Sequence, residues 1–166
     1  MARSAAQVRR TGGLVVATLL LIGLAALGTH FHNAAEAAAE RDESDRQAVV
    51  VARQAALGLT NISAQTVEKD SQRLTALATG DFRDQFAQQS TAFRDIVTGS
   101  KVTSRGEVVE AALSSSDGTT AVALAAVRAT VGNAASPEGQ LRQYRLRITL
   151  EKTGETWLVA NLEFVP

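Results

Sequence analysis

The stretch LATGDFRDQF (Leu77–Phe86) sets two carboxylates, Asp81 and Asp84, one helical turn apart with Arg83 between them. On one face of a helix they could offer two oxygen ligands to a hard cation. A calcium or magnesium site wants more oxygens than two, usually from a purpose-built loop, and no such loop surrounds them. Helix capping explains the pair more simply. An Asp carboxylate accepts hydrogen bonds from the free N–H groups of a first turn, and Asp84 stands at the capping-box position. On that reading Asp81→Asn is mild and Asp81→Ala costs about 1 kcal/mol. The other acids, Glu107, Glu110 and Glu163, fall on strands, where carboxylates usually face solvent.

Few other residues are equipped for catalysis. Both histidines, His30 and His32, precede the folded region, and cysteine is absent. The commonest general base, the commonest metal ligand and any thiol nucleophile are thereby removed from a pocket. No Gly-rich phosphate loop, Gly-x-Ser-x-Gly elbow or metalloprotease helix motif occurs. Tyr144, the only tyrosine, falls on the inward side of a strand, as pocket lining or as core. Arg145 and Arg147 fall on the outward side, as a solvated face or as a contact for a partner or anionic lipid. Trp157 follows a turn and reads as packing. The expectation is a non-enzyme with no catalytic residue, metal or cofactor.

The elements that must position these residues follow from periodicity. Gly12–Thr29 holds 18 residues without a charge, roughly 27 Å of helix and close to a bilayer's hydrocarbon thickness. A cleaved signal and a buried helix are the competing readings. The length of the run and its lack of any polar face favour an uncleaved anchor over residues 12–31. Arg3, Arg9 and Arg10 precede the span and acids dominate after it, so the tail at 1–11 is expected in the cytoplasm. The chain as a whole balances 17 basic against 17 acidic residues. Without those three arginines the remainder is net acidic, which leaves no footprint for nucleic acid.

Residues 32–47 are rich in Ala and Glu and read as a helical stalk. From Ala48 the helix turns amphipathic, with Val49, Ala52, Ala56 and Leu59 on one stripe. TNIS (Thr60–Ser63) then breaks it as a turn, with Asn61-Ile62-Ser63 a chance-level glycosylation acceptor. A second helix over Ala64–Ala78 ends at Gly80. A third starts at Asp81 and carries Phe82, Phe86, Phe93 and Val97 on one face as the expected centre of the core. Phe86→Ala should then cost roughly 3–5 kcal/mol. After Lys101 the period falls to two. One strand ends at the Asp117-Gly118 turn, and a second is nearly all small or apolar. GNAASPEG then reads as a loop, and two further strands complete an antiparallel meander. Leu146, Ile148 and Leu150 supply most of the third strand's inward face. The fold class is α+β: after the transmembrane helix, helices pack on a curved four-stranded antiparallel sheet, and residues 48–166 form an extracytoplasmic domain.

The Arg-bearing tail, single span, Ala/Arg-rich helix, ATGDFRDQF block and the terminus from Trp157 to Pro166 together resemble the Mce-associated membrane proteins of actinobacteria. The resemblance covers nearly the whole chain. Its signature positions here are Thr79, Gly80, Asp81, Phe82, Phe86, Trp157 and Phe164. It implies a nuclear transport factor two-like or cystatin-like domain and a non-catalytic role in stabilising an Mce lipid-import complex. The partners it implies are that complex's membrane subunits, with the bilayer held through residues 12–31. A secretion-channel assembly subunit and a lipid or small-molecule binding domain are the alternatives, and pairing with a second copy as a homo-oligomer is left open.

Overall fold

The computed structural model describes residues 36 and 38–166. The chain divides into two compact units, Met1–Asp42 and Glu43–Pro166. In the first, residues 36 and 38–42 are helical and exposed. The tail at 1–11, the span at 12–31 and the start of the stalk lie outside the described residues. Among the described residues no helix is long and apolar enough to cross a membrane.

The second unit begins with α1 (residues 43–60), followed by β1 (Ile62–Ser63), α2 (Val67–Leu77) and α3 (Gly80–Gly99). Four long strands follow: β2 (Thr103–Ser116), β3 (Thr120–Asn133), β4 (Ser136–Thr153) and β5 (Thr156–Val165). They form one antiparallel sheet in the order β1-β2-β3-β4-β5. The class is α+β as expected, but the sheet has five strands where four were expected. The extra strand lies in TNIS, read above as a turn: Ile62 pairs with Ser104 and Ser63 with Thr103. Asn61 holds this corner with a two-way clasp. Its side-chain amide donates to the Gly106 carbonyl at 2.9 Å, and its carbonyl oxygen accepts from the Gly106 N–H at 3.1 Å. Only glycine fits there, since a Cβ on Gly106 would lie 2.3 Å from Thr60 Oγ1.

GNAASPEG is a tight turn rather than a loop. Asn133 Oδ1 accepts from the N–H groups of Ala135 and Ser136 at 2.9 Å each, and β4 starts at once, with Pro137 and Gly139 inside it. The β2–β3 turn is where it was expected. Asp117 Oδ1 takes the N–H groups of Thr120 (2.7 Å) and Thr119 (2.8 Å), which is the Asx arrangement that makes Asp a turn residue. Those bonds, Thr120's first, hold the Asp117 carboxyl below its ordinary value.

The core lies between α1 and the inner face of the sheet. Ala48, Ala52, Ala55 and Ala56 of α1 meet Ala121, Ala123, Ala125 and Val127 of β3, with Leu146, Ile148 and Leu150 of β4. Small side chains on α1 and β3 let helix and sheet approach closely, so the dispersion contacts between these two elements are dense although the side chains there are small. Trp157 is the largest fully buried side chain, and its indole N–H donates to Ser44 Oγ at 3.1 Å. Strict alternation fails twice in β2, at Val108/Glu110 and Leu113/Ser115, and once at Thr149/Leu150 opposite β5, besides an irregularity at Val131/Asn133 beside the β3–β4 turn. Each bulge adds a residue to one strand and reverses which parity faces inward. Val159 opposes Leu150 while Asn161 opposes Thr149, leaving Ala160 extra. Trp157 and Val159 therefore share the inner side with Leu162, which also packs on the core.

Helix α3 departs furthest from expectation. It is not the core's centre: Val97 is its only buried residue, and Phe82, Phe86 and Phe93 are half-buried. The three rings run in series, Phe82 to Phe86 at 6.2 Å and Phe86 to Phe93 at 6.3 Å. Nor does Asp81 cap it. The N-cap is Thr79, without a side-chain cap bond, and Asp81 lies exposed in the first turn. There its charge meets only the helix dipole, an effect of about 0.3–1 kcal/mol, where a cap bond was expected. α2 ends at Leu77, before Gly80, and Gly80 opens α3 with φ 55. The chain turns there while anchored to the sheet. Ala78 bridges Val159, and the Thr79 N–H donates to the Val159 carbonyl at 2.8 Å.

Candidate functional site

On the outer face of the sheet, opposite α1, the strand registers set Ala126 beside Arg145 and Arg145 beside Val165, with Arg128 beside Gln143. These residues and the first β2 bulge, which puts Val109 forward as its extra residue, enclose a groove of about 670 Å³. Tyr144 and Phe164 also border it. Their register partners Val127 and Leu146 are inner-face residues, however, so their side chains lie on the inner side, where the two rings meet edge-on at 5.4 Å. Tyr144 is half-buried, whereas Phe164 remains 58% exposed.

The charges of this face are largely spoken for. Glu107 takes Arg128 at 2.6 Å, Glu163 takes Arg147 at 3.0 Å, and Glu110 takes Arg53, which reaches over from α1, at 2.7 Å. Being exposed, such pairs are worth little individually, but they fix which charges stay available. The side chains of Arg145 and Arg105 are exposed and form no hydrogen bond or ion pair among the described residues. The sequence-predicted trio is thus divided. Arg145 lines the groove, Tyr144 faces inward against the core as its parity indicates, and Arg147 is turned to Glu163 outside the groove. Val109, Arg128 and Gln143 were not singled out from the sequence. Arg128 had one signal, being the only charge in the apolar β3.

Two further clefts lie on the helical side. One of about 490 Å³ between α1 and α2 is lined mainly by Leu57, Gly58, Leu74, Ala76 and Leu77, with Asp70 and Arg73 at its edge. Asp70 is buried, and its carboxylate accepts from Thr66 Oγ1 at 2.6 Å. The other, about 360 Å³, separates α2 from α3. It carries the Arg94–Glu68 ion pair, and that guanidinium, helped by Gln72, holds the Glu68 carboxyl below its ordinary value. No group of three or more His, Asp or Glu side chains converges as a metal site among the described residues. The signature positions are placed structurally. Thr79 bonds β5 through its backbone, Gly80 makes the turn, Phe82 and Phe86 line α3, and Trp157 fills the core.

A family model described as "Uncharacterized protein Rv1363c/MT1408-like" matches residues 11–166. The uncharacterized protein Rv1363c of Mycobacterium tuberculosis (strain ATCC 25618 / H37Rv) is 29% identical over 156 residues, which are 94% of this chain and 60% of that protein. This chain therefore spans well under two thirds of that relative's length. Among solved structures, the periplasmic domain of DotI superposes with a TM-score of 0.58 at 14% identity, over 71% of this chain and 92% of that one. A periplasmic fragment of TraM gives 0.55 at 13% identity, over 72% and 95%. An IcmL-like type IV secretion system protein from Legionella pneumophila gives 0.53 at 14% identity, over 73% and 91%. At these identities the likeness is one of fold.

Proposed function

The chain belongs to the Rv1363c/MT1408-like family, and from that premise we propose that its Glu43–Pro166 unit is a non-catalytic assembly domain held at the outer side of a cell membrane. The observation that carries this reading is the filled interior. α1 presses Ala48, Ala52, Ala55 and Ala56, all at 0–1% exposure, onto the inner sheet face, where a carrier or enzyme of this architecture would keep a cavity. The residues left to act are on the surface, which suits contact with other proteins.

Two machines fit such a domain. The resemblance to Mce-associated membrane proteins supports an Mce-type lipid-import complex, with the domain of the nuclear transport factor two-like kind and the span at 12–31 as its anchor. The likeness in fold to DotI, TraM and the IcmL-like protein supports a secretion or conjugation channel instead. Crosslinking of the full chain in its native membrane, followed by identification of the partners, separates them. Mce subunits with lowered lipid uptake in a deletion strain support the first machine, and channel components support the second. Recovery of the chain alone, with intact complexes and normal uptake without it, overturns the assembly role.

A further inference from the structure

The outer sheet face has a composition that a merely solvated face does not need. Of the large apolar side chains exposed in the second unit, Val109 (57%), Leu124 (45%) and Leu141 (61%) lie on this face. The register sets Leu124 beside Arg147 and Ala126 beside Arg145, so apolar and basic residues adjoin across β3 and β4. Glu107, Glu110 and Glu163 are each occupied by an arginine of this chain. The positive charges Arg105 and Arg145 are left over. Glu151, the other acid of this face, stands six residues from Arg145 along β4, roughly 20 Å away and well beyond the screening length at physiological salt.

We propose that this groove docks an extended acidic segment of a partner protein, with a carboxylate on Arg145 and apolar side chains against Val109 and Leu124. The charge argument selects the sign. A basic segment would have to displace arginines already paired to Glu107 and Glu163, whereas an acidic one meets a guanidinium that holds no ion pair among the described residues. The shape selects a polypeptide. A groove of about 670 Å³ between strand side chains admits several side chains of a chain lying along it, while a membrane surface would meet only the tips of the face. Gln143, beside Arg128 at the groove, adds a donor for the segment's carbonyls. This rests on the assembly reading only for the source of the segment.

The test uses the full chain in detergent and a fluorescein-labelled peptide alternating Glu and Val, with a Lys/Val peptide as control, read by fluorescence anisotropy. The acidic peptide should bind, more weakly as salt rises, and Arg145→Glu should weaken it by about tenfold or more. Leu124→Asp should also weaken it, and Arg142→Glu, a charge change of the same size on the other side of β4, should leave it within about twofold. Circular dichroism shows that each variant is folded. Equal binding of both peptides, no binding, or indifference to Arg145→Glu overturns the proposal. Displacement by short-chain phosphatidylglycerol without preference for the acidic peptide assigns the face to lipid, and overturns it too. Envelope subunits that still crosslink after such a failure leave the assembly reading standing and only this docking site lost.

Discussion

Helix α1 offers the sheet Ala48, Ala52, Ala55 and Ala56 and withdraws all of them from solvent, whereas α3 offers Phe82, Phe86 and Phe93 and withdraws none of them fully. The larger side chains belong to the looser contact. Burial depends on how closely two surfaces can approach, and alanine facing alanine permits an approach that phenylalanine prevents. The α1–sheet layer is consequently the part that holds the domain together. α3 is a ledge, secured at its start through Thr79 to β5 and at its end by Val97.

The contrast can be broken most forcefully at Trp157. Trp157→Ala removes the largest buried side chain and its bond to Ser44, and should cost about 3–5 kcal/mol in a urea titration. A cost no greater than that of an α3 variant would place the core elsewhere. Ala52→Leu adds volume where there is no exposure at all, and should destabilise by about 1–3 kcal/mol through overpacking. A neutral result would mean that α1 and the sheet can part without penalty. Phe86→Ala, from the half-buried stripe, should cost only about 1 kcal/mol, below the loss expected from its spacing alone. Smallest is a pH effect on the β2–β3 turn. Asp117's carboxyl is lowered by its bonds to Thr120 and Thr119, so its contribution is complete above the unfolded value of 3.8 and is lost as pH falls through the folded one. Amide exchange at Thr119 and Thr120 should rise over that acid window, and Asp117→Ala should remove the rise.

Much of this architecture was legible because it is written in period. The step from 3.6 to 2 after Lys101, the Asp117-Gly118 turn and the inward Leu146, Ile148 and Leu150 are local signals, and each matches the structure. Ala48, where packing was expected to begin, is buried, although Ser44 and Asp45 already bond to the sheet at Trp157 and Ser116. β1 was not legible, since two residues carry no period and Ile62–Ser63 form a strand only because β2 is there to pair with them. The aromatic stripe of α3 was read correctly as a stripe, but periodicity says which side of a helix is apolar and not whether anything covers it. At the groove, alternation alone put Arg145 outward. The companionship of Val109, Arg128 and Gln143 depends on the β2–β3–β4 registers and on one bulge, which are long-range facts that a local pattern does not contain.

The extra residue at Ala160 gives β5 a property that its composition does not show. Along an uninterrupted strand, removing one residue is harmful because every later side chain changes sides. Here the strand has already changed sides once, so Trp157 and Val159 obey one parity and Leu162 and Phe164 the other. Losing Ala160 would restore an even beat and send Leu162 away from the core, with Phe164 leaving the edge of the Tyr144 ring. β5 thus keeps two phases of one rhythm in a single strand, and the core at one end and the outer groove at the other stay in step only while that single residue is counted.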